Sequence, residues 1–467
     1  MTTASVISDL IDKRSAGFIS MSDSIWDMPE LSFGEHHAAG LLIDALEKEG
    51  FRIERGVAGM PTAFVAEFGE DGPVIGLLGE YDALAALSQE AGVASRSPVE
   101  QGGSGHGCGH NLLGVGALMA AVAVKDYLHA NGLRGRVRYY GCPAEEGGGG
   151  KVFMARAGLF DDLAFALTWH PGPAFGLKSY PALSLLQARF TFEGRAAHAS
   201  WAPHLGRSAL DALELMNVGV NFLREHMPPD ARIHYAITNA GGLAANVVQA
   251  DAESLYIVRS PVITDAKALF ERVQAVAEGA ALMTGTRMTV RVTQGYSNVL
   301  LNDELERAMY QSLEQLGPVP FDDIDRQLAG EIRETLTDED VAFYERNFGP
   351  MGNSPLYDRI MPNERQNLSG TTDVGDVSWI VPTGQFWGAC FAIGTPFHTW
   401  QLVAQGKSSA AHKGMVHTAK AMALTAVTML EPERIDKARS EYLGRTGGKP
   451  YQCPISDDLM PEIPDHG

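Results

Sequence analysis

Val137-Arg138-Tyr139-Tyr140-Gly141-Cys142-Pro143-Ala144-Glu145-Glu146 passes from a β-branched and aromatic run into a turn that carries two carboxylates. Such a stretch predicts a strand that stops at a polar turn. Three other runs behave the same way. Val74-Ile75-Gly76-Leu77-Leu78 ends in Gly79-Glu80-Tyr81-Asp82, Ala164 to Trp169 ends in His170-Pro171-Gly172, and Phe386 to Ile393 ends in Gly394-Thr395-Pro396-Phe397-His398. Helical patterns separate the early strands: Glu35 to Glu49, stopped by Gly50 as a C-cap, and the apolar run Leu112 to Val124. This alternation predicts an α/β fold on a central mixed, mainly parallel sheet. Open sheets of this kind bind ligands at the carboxyl ends of their strands, so the four polar turns predict where the site lies.

The middle third reads differently. Between Leu183 and Val292 the order is strand, helix (Leu205 to Glu225), two strands (Ile233 to Thr238 and Val247 to Val258), helix (Asp265 to Leu282), strand. Two helices on one face of a small antiparallel sheet fit that order. The strands of the first sheet resume afterwards, so 183–296 is expected to be an α+β domain inserted into a discontinuous domain made of 1–182 and 297–467. The acidic, weakly periodic stretch Asp322 to Asn367 is expected to hold one helix and a long surface loop, and the tail from Gly444 to be extended.

With 467 residues the chain exceeds the roughly 250–300 at which a single core stops growing. Lys and Arg number 37 against 57 Asp and Glu, a net charge of −20 that argues against nucleic acid and anionic membranes as partners. The run Leu112 to Val124 falls short of the about 20 apolar residues that span a bilayer, which predicts a buried helix. The opening segment, Met1 to Arg14, lacks a secretory pattern, and the four cysteines (Cys108, Cys142, Cys390 and Cys453) make no disulfide framework. A reducing cytoplasm is the expected location.

The densest chemical signal is Gly105-His106-Gly107-Cys108-Gly109-His110-Asn111, just ahead of the buried helix. A thiolate and an imidazole two residues apart on a glycine-rich turn can reach one cation together. The other readings of this loop are a packed structural turn or a redox pair of Cys108 with Cys142; a phosphate cradle fails because no Gly-Lys-Ser/Thr follows. Glu145 and Glu146, adjacent at a strand end, cannot point the same way. One can ligate while the other faces a substrate as general base; taken alone, the pair reads equally well as a solvated turn. Singly, His170 and His398 read as hydrogen-bonded loop histidines. Jointly, Cys108, His110, Glu146, His170 and His398 supply five ligand-type groups at strand ends, too many for one tetrahedral site. Two divalent metals, manganese or zinc, are the natural reading.

At these motifs the chain resembles the amidohydrolase branch of the aminoacylase/carboxypeptidase metallopeptidase superfamily. The resemblance extends from Trp26-Asp27-Met28-Pro29-Glu30-Leu31 through the segments at Gly79 to Leu84, Ala197 to Ala212, His234 to Gly242, Asn246 to Glu253 and Thr371 to Trp379, to Ala411-His412-Lys413-Gly414-Met415. It implies a zinc-peptidase-like catalytic domain with an inserted dimerisation, or lid, domain. It also implies Cys108, His110, Glu146, His170 and His398 as metal ligands and Glu145 as general acid/base. His198 is implied to reach a dimer-related active site, and Asn246 and Arg259 to hold the substrate carboxylate or the tetrahedral intermediate. Where many two-metal relatives carry an aspartate after the Gly-His pair, this chain has Asn111, leaving Cys108 as the candidate bridge. Glu80 stands where more distant relatives place a metal-binding histidine, ahead of the supporting Asp82. The implied activity is hydrolysis of an N-acyl amino acid with a free carboxylate, p-aminobenzoyl-glutamate foremost. Indole-3-acetyl-aspartate, an N-acyl-glutamine or a dipeptide are the close alternatives. The implied assembly is a homodimer or a heteromer with a homologous subunit; a regulatory subunit and a hydrolase with Cys108 as nucleophile are the rival readings.

Overall fold

The computed structural model of the protein describes residues 2–366, 368 and 370–464. Its strands are β1 (Arg52–Arg55), β2 (Phe64–Phe68), β3 (Val74–Glu80), β4 (Arg136–Cys142), β5 (Leu163–Gly172) and β6 (Gly176–Leu177). They continue with β7 (Ser184–Glu193), β8 (Arg232–Asn239), β9 (Asp251–Ser260), β10 (Arg287–Tyr296) and β11 (Thr383–Ala389). The larger sheet has the order β1-β2-β4-β3-β5-β11-β6. The four strands singled out in the sequence are therefore neighbours, and every pair among them is parallel. Register aligns their ends, with Glu80 opposite Cys142 and Trp387 opposite His170. β2 and β6 run antiparallel to their neighbours, which makes the sheet mixed.

Side chains alternate across a strand, and here both faces are buried, as parallel sheets require. Ile75, Leu77, Val137, Tyr139, Phe165, Leu167 and Trp169 join one core with the helices His110–Asn131 and Ser409–Thr428. Val74, Leu78, Tyr140, Cys142 and Leu163 join the other, with Val152, Phe153, Val374 and Val377. The helix His110–Asn131 is long and apolar enough to cross a membrane, but it is enclosed by the sheet and its neighbouring helices. It lies so close to β3 that a Cβ at Gly114 would stand 2.6 Å from the Glu80 carbonyl oxygen. β11 ends at Ala389, four residues short of the predicted Ile393. Its partner β5 ends at Gly172, and the Cys390 and Phe391 N–H groups both turn onto the Gly172 carbonyl.

The second sheet, ordered β10-β7-β9-β8, is antiparallel throughout. Helices Ala209–Leu223 and Ile263–Thr284 cover one face, where Leu186, Ala188, Phe190, Tyr256 and Val258 are buried. Period two sends Leu185, Gln187, Ile257 and Arg259 to the opposite face, which roofs the carboxyl ends of the larger sheet.

One expectation is corrected here. The stretch expected as one helix and a loop holds two helices, Asp323–Arg333 and Asp338–Phe348. Each opens with a capping box, Asp322 with Asp325 and Thr337 with Asp340, so the acids that blurred the periodicity are helix starts. Asn367, the end of that predicted stretch, lies outside the described residues. The last helix, Pro432–Thr446, runs two residues past Gly444, and the irregular tail follows it.

Candidate functional site

The four strand ends converge. Gly109 sits in left-handed conformation, φ 78°, and lets the chain turn into the helix that starts at His110, so Cys108 and His110 present their side chains together. Ala144 and His398 also have positive φ, 59° each, despite carrying side chains. Such strain persists only where surroundings enforce it. Ala144 is held by Glu35, whose Oε1 accepts its N–H at 2.9 Å, and its carbonyl accepts the N–H groups of Gly148 and Gly149. The N–H of His398 donates to the Gly107 carbonyl at 2.9 Å.

Two ligand groups result, each with donor atoms mutually within 4.8 Å: Cys108, His110 and His170, and Cys108, Glu146 and His398. Cys108 belongs to both. Its Sγ lies 3.4 Å from His170 Nε2, and Glu146 Oε2 lies 3.3 Å from His398 Nε2. His110 Nδ1 donates to Asp82 Oδ1 at 2.8 Å, and His170 Nδ1 donates to the Pro171 carbonyl at 2.8 Å. These bonds fix the tautomers that leave both Nε2 lone pairs facing the cluster. The other oxygen of Asp82 accepts the Glu146 N–H at 2.9 Å, so one carboxylate steadies a member of each group.

The donor set fits divalent cations. Among the described residues, His110 Nε2 and Glu146 Oε1 are buried without a hydrogen-bond partner, the nearest acid to His110 Nε2 being Glu80 Oε2 at 3.4 Å, a condition expected of metal ligands. Burial, with Lys178 and His110 nearby, pushes the His170 pKa well below its usual value, which keeps the ring in its neutral, ligating form. Burial and the Glu146 charge push the Cys108 thiol up in the absence of a cation, the situation a bound cation reverses. Carboxylates outnumber ammonium groups here: Glu80, Asp82, Glu145, Glu146 and Asp373 face Lys151 and Lys178. A third convergent group, Glu80, His110 and Glu145, is already partly neutralised. The buried Lys151 ammonium stands 2.6 Å from Glu80 and 2.7 Å from Asp373.

Glu145 lines the adjacent cavity beside these groups. Burial, then the charges of Glu80, Glu146 and Asp373, raise its pKa well above the carboxylate range, a setting in which it readily accepts a proton. The cavity, about 660 Å³, is also lined by Arg259, whose guanidinium donates to Thr371 Oγ1. His198 and Asn246 lie elsewhere. His198 pairs with Val247, the neighbour of Asn246, in an isolated bridge on the exposed surface of the second sheet's module, and the Ala199 N–H donates to the Asn246 carbonyl. The His198 ring accepts from the Ser200 and Trp201 N–H groups and faces no group of this chain's cavity.

Sequence reasoning missed Lys178. It is 7% exposed, lines the cavity, and makes no ion pair among the described residues; its ammonium stands 5.1 Å from the Trp387 ring centroid. A buried ammonium without an acid is a standing invitation to an anion. The only signal for it was a lysine directly after the apolar Phe175-Gly176-Leu177. The Glu80–Lys151–Asp373 cluster and the Glu35 clamp were also missed.

Comparison with known proteins places these features. The model for peptidase family M20/M25/M40 matches residues 76–360. The B subunit of the p-aminobenzoyl-glutamate hydrolase of Escherichia coli (strain K12) is 47% identical, over 97% of this chain and 98% of its own. The Xaa-Arg dipeptidase of Mus musculus is 30% identical, over 92% and 90%. A solved dinuclear metal-binding peptidase of the M20 family from Bacillus subtilis superposes with TM-score 0.59 at 19% identity, covering 90% of this chain and 99% of that one, which shows a shared fold.

Proposed function

Because this chain belongs to peptidase family M20/M25/M40, we propose that it hydrolyses the amide of an N-acyl amino acid, p-aminobenzoyl-glutamate foremost, to p-aminobenzoate and glutamate. It is a metal-dependent amidohydrolase, and the substrate is read from the full-length likeness to the Escherichia coli hydrolase subunit. The observation that carries the reading is the pair of ligand groups sharing Cys108, beside a Glu145 that belongs to neither of them.

Cys108, His110 and His170 would hold one cation, and Cys108, Glu146 and His398 a second; manganese or zinc suits thiolate, imidazole and carboxylate together. When bound, the cations supply polarisation of the amide carbonyl and acidification of the attacking water. The protein's own groups do the rest. Glu145 takes the water proton and returns it to the amide nitrogen, so the leaving amine departs neutral. Arg259 offers the fork that grips a carboxylate bidentately, and Lys178 adds a second positive charge to the same cavity.

His198 and Asn246 enter from a second subunit, because this chain does not bring them to its own cavity. Their donors would face the developing oxyanion, where one fixed donor is worth about 3 kcal/mol. Two features support an assembly. The relative is designated a subunit, and the helix Ala209–Leu223 exposes Leu215, Val218 and Phe222 at helical spacing. The partner is a second copy or a homologous chain.

The test is turnover of p-aminobenzoyl-glutamate by purified protein before chelation, after it, and after manganese or zinc is restored. Loss and recovery support the reading. Activity that survives complete metal removal overturns it in favour of a Cys108 nucleophile, and metal-replete protein that works only with a second subunit points to the regulatory role.

A further inference from the structure

The second sheet lines the cavity with Arg259, Gln187 and Gln294 beside Leu185, Ile257 and Tyr296, and Lys178 lines it where an aromatic wall begins, its ammonium 5.1 Å from the Trp387 ring centroid. There Phe343, Phe348, Trp387 and Phe397 line it. The aromatic wall starts at the ligand cluster itself. The His170 ring meets Phe397 edge-on at 5.4 Å and Trp387 at 5.6 Å, and Phe397 directly precedes His398. Trp387 and Phe397 lie 6.0 Å apart, tilted by 32°, and Phe348 stands edge-on to Trp387 at 6.0 Å.

These rings are held from behind by groups that contribute nothing to the opening. Trp387 Nε1 donates to Gln366 Oε1 at 3.0 Å, and Tyr344, buried, stacks on Phe348 at 5.1 Å. At the mouth, Phe343 is 56% exposed, so it is no part of the core that would otherwise explain it. Phe343 and Phe348 both come from the helix Asp338–Phe348, which lies in the acidic stretch.

We propose that Phe348, Trp387 and Phe397, with Phe343 at the rim, are the acyl-specificity residues, forming a slot that selects a planar aromatic acyl group. The helix Asp338–Phe348 is the element that supplies the slot's outer wall. An amide positioned over the cluster has its amine side toward Arg259 and its acyl side toward these rings. Trp387 and Phe397 stand too close together to admit a ring between them. The aryl group therefore lies against their shared face, with Phe348 meeting it edge-on, within the centroid separations of about 4.5–7 Å that aromatic pairs favour. A small alkyl acyl group touches the wall without filling it and gains little from it.

This assignment rests on the N-acyl amino acid reading, and the experiment separates the two. Turnover of p-aminobenzoyl-glutamate and of acetyl-glutamate is measured for the metal-loaded wild type, Phe348→Leu, Phe348→Ala and Phe343→Ala. Phe348→Ala is expected to lower kcat/KM for the aroyl substrate about 10- to 100-fold, as loss of a buried ring contact implies, and to leave acetyl-glutamate within about twofold. Phe348→Leu keeps the bulk and loses the ring, so it should fall between. Phe343→Ala, at an exposed site where folding is not at stake, should cost the aroyl substrate several-fold through KM. Equal losses for both substrates, or none in any variant, overturn the slot. If the wild type cleaves neither substrate, the N-acyl-glutamate reading fails by itself. The slot is then decided by calorimetry: p-aminobenzoate binding to wild type and weakened in Phe348→Ala upholds it, and absence of such binding refutes it.

Discussion

Asp82→Asn is the substitution whose outcome the geometry constrains most tightly. The aspartate is buried, and each of its oxygens accepts one hydrogen bond, from His110 Nδ1 at 2.8 Å and from the Glu146 N–H at 2.9 Å. Asparagine has the same shape but one acceptor and one donor group. If its oxygen keeps His110, its amide N–H₂ confronts the Glu146 N–H, donor against donor. If it keeps Glu146, the amide donates to His110 Nδ1, and the proton moves to Nε2, where it blocks the lone pair that faces Cys108 and His170. Either arrangement spoils one ligand group. A hydrogen bond to a charged group contributes about 1.5–3 kcal/mol, which at 1.4 kcal/mol per decade is roughly 10- to 150-fold. That agrees with the about 10- to 100-fold loss in metal affinity found when a group that orients a ligand is changed. Competition against a chromogenic chelator would measure the affinity, and thermal melting would check the fold. We expect metal binding weakened by one to two decades, with activity partly regained at high metal. Wild-type affinity together with wild-type turnover would refute the claim that Asp82 orients both groups.

Glu145→Ala is expected to retain bound metal while turnover falls by about two orders of magnitude or more; parallel loss of metal, read by elemental analysis, would make Glu145 a ligand instead. Arg259→Lys should raise KM for substrates with a free α-carboxylate and spare an α-amidated analogue, and equal damage to both would defeat that role. Burial lifts the Asp376 carboxyl to about 7, against hydrogen bonds from Ser297 and Tyr451. The folded chain therefore keeps a proton that the unfolded chain releases, and this contribution to stability is lost as pH rises from about 4 through about 7. Asp376→Asn carries no such dependence, so its melting temperature should gain on wild type between about pH 5 and about pH 8; a constant difference across that range would count against a raised Asp376.

Much of this architecture was legible in the amino-acid order, for identifiable reasons. β3 and β5 announce themselves because both faces are buried, which demands nearly unbroken apolar runs, β4 does so by its β-branched and aromatic residues despite Arg138, and each run stops at the residue that turns into the site. Cys108 and His110 are legible because two ligand atoms so close in sequence need glycine to converge. Other features were hidden. Lys178 reads as an ordinary surface lysine until folding encloses it, and Phe343 and Phe348 sit in an acidic stretch whose aspartates cap helices. Glu35 acts through a backbone N–H more than a hundred residues away, and no local pattern records such a bond. His198 and Asn246 are a different case, since the surface of one chain gives them nothing to act on.

Distant segments of this chain converge so that two cations would share the Cys108 sulfur. Anomalous diffraction from crystals grown with manganese or zinc tests it most directly. We expect two peaks on either side of Cys108 Sγ, one bounded by His110 and His170 and the other by Glu146 and His398. A lone ion seated between Glu80 and Glu145, or no ion at all in crystals of active enzyme, would contradict it.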